Sequence, residues 1–139
     1  MDGKERVIKH LEITQGVINR LANNSFLIKN WSMAILAAAM LFLVRVESVN
    51  SVYLTLSFTI PVISFWILDG YFLWQERLFR GIYNDIRTLD DSDFKMDISV
   101  QLKKPKSSWP SAIFSTTLTI FYFTELSFLA LITLIMSCQ

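Results

Sequence analysis

Glu125 stands inside the apolar run LTIFYFTELSFLALITLIM, residues 118–136, and is the one charged residue between Ser107 and the C-terminal Gln139. A carboxyl group in such a setting can pair with a cation, carry a proton, or ring a cation-permeable path when symmetric copies meet around an axis. Three further charges sit at the margins of apolar runs: Lys29, Arg45 and Asp69. The residues that usually do covalent chemistry are scarce. His10 is the single histidine and Cys138 the single cysteine, and they fall near opposite ends of the chain. No nucleophile–base pair, phosphate-cradling glycine loop or metal-ligand spacing is visible, so neither catalysis nor a metal or other cofactor is expected. The string RVIKH, residues 6–10, superficially suggests an arginine-and-histidine ribonuclease signature, but too few residues intervene. With one cysteine there is no intrachain disulfide, and a bridge between copies through Cys138 is left open.

The elements that hold these charges are set by apolar run length. The 139-residue chain is 53% hydrophobic, more than a soluble domain normally carries. No charge occurs between Ser48 and Leu68, and with the run around Glu125 this makes two stretches long enough for a hydrocarbon core of about 30 Å. A third run, Asn30 to Val44, is short as a helix, at about 22 Å, and needs Lys29 and Arg45 to snorkel at its ends. The spacing therefore predicts an all-α integral membrane protein forming one membrane domain. Its elements are an N-terminal amphipathic helix over 4–23, spans over 26–46, 52–74 and 110–136, and a helical extension of the second span to residue 89. The alternating residues 94–102 predict one short extended strand.

Val7, Leu11, Ile18 and Leu21 form one stripe before the first span, and Phe72, Phe79, Ile82, Ile86 and Leu89 form another after the second. The two helices that carry them are expected to pack antiparallel, within one chain or between copies. Five lysines and arginines precede the apolar run Asn30 to Val44 and seven lie between the second and third spans, whereas Arg45 alone falls between the first two apolar runs. By the positive-inside rule the N-terminus is inside and the C-terminus outside. A polar stretch of about 29 residues precedes the first span, so no cleavable signal is expected. The net charge of +1 gives no case for nucleic acid; the expected partners are the lipid bilayer, further copies of the chain, and a cytoplasmic protein or signalling ligand.

Trp31, Trp74 and Trp109 each stand at the inner end of a span and serve as depth markers. Counted from Trp109 along a straight helix, Glu125 lies about 24 Å in, and Arg45 lies about 21 Å from Trp31. These depths predict an Arg45–Glu125 ion pair, with a second pair between Lys29 and Asp69. On a helical wheel Ser111, Ser115, Thr119, Tyr122, Glu125 and Thr133 share one side, a polar seam that faces either other helices or water. Pro61 predicts a kink in the second span, and Ala34 with Ala38 makes a small-residue pair for close helix approach.

The strings NNSFLIKNW (23–31), LDGYFLWQERLFRGIYNDIR (68–87) and SSWPSAIFSTTLTIFY (107–122) resemble a group of small bacterial multi-pass membrane proteins. They share an NNSFLIKxW start, an LDxYFLxQERLFR core and a third span opened by S-W and F-S. The resemblance covers most of the chain and implies the bacterial inner membrane rather than a particular activity. It draws attention to Gln75, Glu76, Arg77 and Arg80, which with Lys29 and Asp69 would meet at the membrane boundary. In architecture the chain is more loosely similar to small transmembrane effectors of antiphage defence, which oligomerise and disrupt the membrane on a signal. The expectation is a non-enzymatic, homo-oligomeric effector of membrane permeability; the alternative is a membrane anchor or sensor subunit that recruits a partner protein.

Overall fold

The computed structural model describes residues 2–45, 51–104 and 108–137. Its regular elements, among the described residues, are all helices: α1 at Gly3–Arg45, α2 at Ser51–Ile86, the short α3 at Ser99–Leu102 and α4 at Trp109–Ile113, and α5 at Thr116–Ser137. Three helices, α1, α2 and α5, are long and apolar enough to cross a membrane.

The amphipathic segment and the first span are one uninterrupted 43-residue helix rather than two. No proline falls within it and Asn23, Asn24 and Ser25 are tolerated because tertiary contacts outweigh their weak helix preference. Helix α2 likewise runs through Pro61, and the hydroxyls of Ser57, Thr59 and Ser64 donate to carbonyls four residues earlier around it.

Helices α1 and α2 pack antiparallel within the chain. At one end Val7 is buried with Ile82 and Ile86, and Leu11, Phe79 and Ile98 close over them. At the other end Leu36, Ala39, Val62, Leu118, Tyr122 and Leu129 form a second apolar cluster shared with α5. Helix α5 lies antiparallel to α2, with the Thr55 and Thr133 hydroxyls 2.6 Å apart near its far end.

Two expectations are corrected here. Among the described residues there is no strand over 94–102. Phe94 adopts a left-handed φ of 60°, residues 93–98 form no regular element, and a single helical turn follows. A lone strand has no ladder partner, so the backbone is satisfied locally: Asp97 accepts from the Ser99 N–H and Gln101 donates to Asp85. The turn is seated against Gly81, where a Cβ would strike the Gln101 side chain. Gln101 is consequently buried while Val100 and Leu102 are exposed, the reverse of the alternation.

The third span is also not one helix. It breaks at Phe114 and Ser115, leaving α4 docked on α2. A Cβ on Gly70 would come within 3.0 Å of the Ile113 Cα, and the Trp66 indole donates to the Ile113 carbonyl. Nine residues later, Tyr122 still bonds to Phe65 and Asp69 of the same stretch of α2. Residues 113–122 thus advance far less along the bundle than the roughly 13 Å of a straight helix.

Candidate functional site

The polar residues of the membrane-spanning region gather in two adjoining layers between α1, α2 and α5. Asp69, wholly inaccessible at 0% exposure, anchors the first. The Lys29 ammonium lies 2.6 Å from Asp69 Oδ2, the Tyr122 hydroxyl donates to the same oxygen at 3.1 Å, and the Ser25 hydroxyl donates to Oδ1. Lys29 also donates to Ser25 Oγ at 2.9 Å. Each helix contributes through its own periodicity: Ser25 and Lys29 are one turn apart on α1, and Asp69 adjoins Gly70, the glycine on which Ile113 rests. Every carboxylate oxygen of Asp69 is thereby paired, as a buried charge requires.

One turn along α5, Glu125 forms the second layer. It is 3% exposed, and its Oε2 accepts from the Ser32 hydroxyl at 2.6 Å. Its other oxygen, Oε1, is buried with no hydrogen-bond partner among the described residues, and so are Thr119 Oγ1 on the same helix and Ser115 Oγ just before it. Such orphaned groups are uncommon in native interiors and each costs about 1–3 kcal/mol unless something satisfies it.

The pairing register revises the depth of Glu125. Along the antiparallel α1 and α2, Trp31 lies two residues beyond Lys29 and Trp74 five residues beyond Asp69 in the opposite direction. The two tryptophans are therefore about 10 Å apart in depth and do not form a common belt. Ser32, and with it Glu125, sits about 12 Å from the Trp74 level rather than some 24 Å in. The break before α5 is the reason, because the straight-helix count assumed continuity through Phe114. Ser32 precedes Arg45 by about 20 Å of helix. The Arg45 side chain lies outside the described residues, as does Cys138, and the expected Arg45–Glu125 pair falls there.

Of the remaining seam residues, Ser111 offers its carbonyl to Arg77 at 3.2 Å, and the Thr133 hydroxyl donates to the Leu129 carbonyl at 2.8 Å. The structure thus turns the seam toward α1 and α2 within a single chain. At the end of α2, Glu76 is buried and accepts from Arg80 at 2.6 Å, with Gln75 half-buried beside it. Beside the second layer an open groove of about 910 Å³ runs between α1 and α5, with Met33 and Leu36 on the α1 side and Glu125, Phe128, Thr124 and Ser127 among the α5 residues that line it.

Ser25 and Ser32 went unremarked in the sequence. Their signal is position: both fall on the face of α1 that carries Lys29 and Leu36, where a polar residue is otherwise unexplained.

A second polar site lies at the other end of the bundle. His10 is 2% exposed, and its Nδ1 is 2.6 Å from the Ser92 hydroxyl, which also accepts from the Phe94 N–H at 3.2 Å. The Phe94 ring packs on the imidazole at 5.6 Å, and Arg6 pairs with Asp91 alongside. Burial holds the His10 imidazole below its ordinary pKa, against a smaller opposing pull from Asp93. No group of histidine, cysteine and acidic residues among the described residues is arranged to hold a metal.

Compared with protein-family models, curated proteins and solved structures, the chain matches none.

Proposed function

We propose that this chain is a non-enzymatic, self-associating protein of the bacterial inner membrane, oriented with its N-terminus inside, that alters permeability when copies assemble. One observation carries the reading. The exposed face of α5, which borders the groove, presents Thr117, Ile120, Thr124, Ser127, Leu131 and Leu134, spaced alternately by three and four residues. That is the repeat of a helix–helix seam, and its small hydroxyl residues permit the close backbone approach on which association in lipid depends. Ala34 and Ala38 are a second exposed pair of small residues one turn apart, on α1.

Assembly through this ridge would bring the Glu125 layers of neighbouring copies across the groove from one another. Defence against phage, the setting implied by the resemblance, is the proposed context, with a cytoplasmic protein or signalling ligand as trigger.

The test is the mass of the detergent-purified particle together with dye release from vesicles, for wild type and for Thr124→Trp with Ser127→Trp. The expected result is an oligomer that releases dye, with the bulky pair reducing both. A monomeric wild type would overturn the reading.

A second reading has its own support: Ile8, Ile13, Val100 and Leu102 are exposed apolar residues at the other end of the bundle, outside the apolar spans. They suit an anchor or sensor subunit that recruits a partner protein, in which case a stoichiometric partner co-purifies and dye stays inside.

A further inference from the structure

The hydroxyls of this chain are satisfied in two ways, and the difference marks a path. Ser57, Thr59, Ser64, Thr124 and Thr133 each donate to the carbonyl four residues earlier, which is how a hydroxyl is made tolerable on an apolar helix face. Ser115 and Thr119 make no such bond; both oxygens are buried without a partner, and Glu125 Oε1 shares that condition further along the same helix. Three orphaned oxygens, one in the break and two on the inner side of α5, ask for a common partner.

We propose that the inner face of α5 holds a file of water leading from the α4–α5 break to Glu125, and that Glu125 is a proton-exchange site. The entrance has the right character. Helix α4 ends at Ile113, Phe114 is exposed, and the Ser111 carbonyl is held by the exposed Arg77, so the break lies at the edge of the bundle. Along the helix axis Ser115 and Thr119 are separated by about 6 Å of rise and Thr119 and Glu125 by about 9 Å, the scale of one or two bridging waters at each step. Buried water making several hydrogen bonds to otherwise unsatisfied polar groups is a regular part of protein interiors.

The far side is closed. Leu36, Ala39, Val62 and Leu129 are buried together just beyond Glu125, and the hydroxyls further on, Thr59, Thr55 and Thr133, are hydrogen-bonded. Along the bundle axis the file therefore reaches the carboxyl from one end, while sideways Glu125 borders the largely apolar groove.

Proton uptake needs no co-reactant. A hydronium at the entrance releases one proton into the file, each water accepts one and passes one on, and the Glu125 carboxylate becomes a carboxyl. The proton seats on Oε1, because Oε2 already accepts from Ser32. The site is built within one chain and does not depend on assembly.

The unmodified protein in lipid vesicles supplies the first test. Infrared difference spectra against Glu125→Gln assign the carboxyl band, and transfer into deuterated buffer reads its exchange. The expected result is a band that shifts promptly, and about tenfold more slowly in Thr119→Val, as loss of a bridging group requires. A band absent at every pH, or exchange unaffected by Thr119→Val, overturns the proposal.

Hydration is read separately in a Cys138→Ser background with a water-soluble, membrane-impermeant methanethiosulfonate. Thr119→Cys is expected to react about tenfold faster than Leu129→Cys beyond the closure or Ile120→Cys on the outer face, since only a hydrated thiol forms thiolate. Equal rates mean a dry seam. Dye release does not enter either measurement, so failure here and failure of the assembly reading are separate results.

Discussion

His10 and Glu125 are held alike and placed differently. Each is almost completely buried, each takes one short hydrogen bond from or to a serine, and each leaves its other polar atom without a partner among the described residues. His10, however, is covered by the segment that carries Ser92 and the left-handed Phe94, flanked by exposed charges, whereas Glu125 is enclosed by two long apolar helices. A loop can lift and let water satisfy an orphaned nitrogen. A helix pair does not lift, so water can come to Glu125 only along the inner face of α5, and the same local chemistry carries a larger consequence in the spanning region. Lys29–Asp69 shows the third possibility, a buried charge with every oxygen paired.

The largest expected effect breaks that last arrangement. Lys29→Met leaves Asp69 buried and uncompensated, and is expected to destabilise the protein by about 3 kcal/mol, the lower end for a broken buried pair because Lys29 is partly exposed. Exchanging the two, Lys29→Asp with Asp69→Lys, is expected to recover at least about half in a denaturing-detergent titration, since the Ser25 and Tyr122 hydroxyls accept as readily as they donate. No recovery would mean that the two do not act as a pair.

Next is Ser32→Ala, which strips Glu125 of its one hydrogen bond and is expected to cost about 2 kcal/mol. The matching change at the other site, Ser92→Ala, is expected to cost about 1 kcal/mol, because the loop admits water. Equal losses would remove the contrast between an enclosed and a coverable site.

The smallest effect is a pH dependence. His10 has a folded-state pKa below its unfolded value of about 6.5, so the unfolded chain binds more protons between the two. The His10 contribution to stability is therefore complete above about pH 6.5 and lost as pH falls toward the folded value. Unfolding titrations at several pH values should show this slope in wild type and not in His10→Gln. A slope that persists in the variant would assign it elsewhere.

Much of the fold follows from local pattern. The stripe through Val7, Leu11 and Ile18 and its counterpart through Phe79, Ile82 and Ile86 are amphipathic at helical period, and they bury against one another. The alternation at 94–102 misled because a period of two has meaning only where a neighbouring strand exists. The straight count from Trp109 misled because an apolar run records length and not continuity. Ser115, followed by two threonines ahead of the apolar run, carries the mark of a fresh helix start and would have located the break.

Sequence alone determined that three apolar helices are available, that two of them extend as amphipathic partners, and that Lys29 and Asp69 lie within reach of each other. Those properties depend on residues near in sequence or on matched distance from a run's end. Tertiary structure decided that α1 is unbroken, that α4 docks on Gly70 and shortens the third span's advance, and that Glu125 meets Ser32. It also left Ser115, Thr119 and Glu125 with unpaired oxygens on an inward face. These outcomes depend on the relative register of helices, which is set by packing between residues distant in sequence and is not written in any one run.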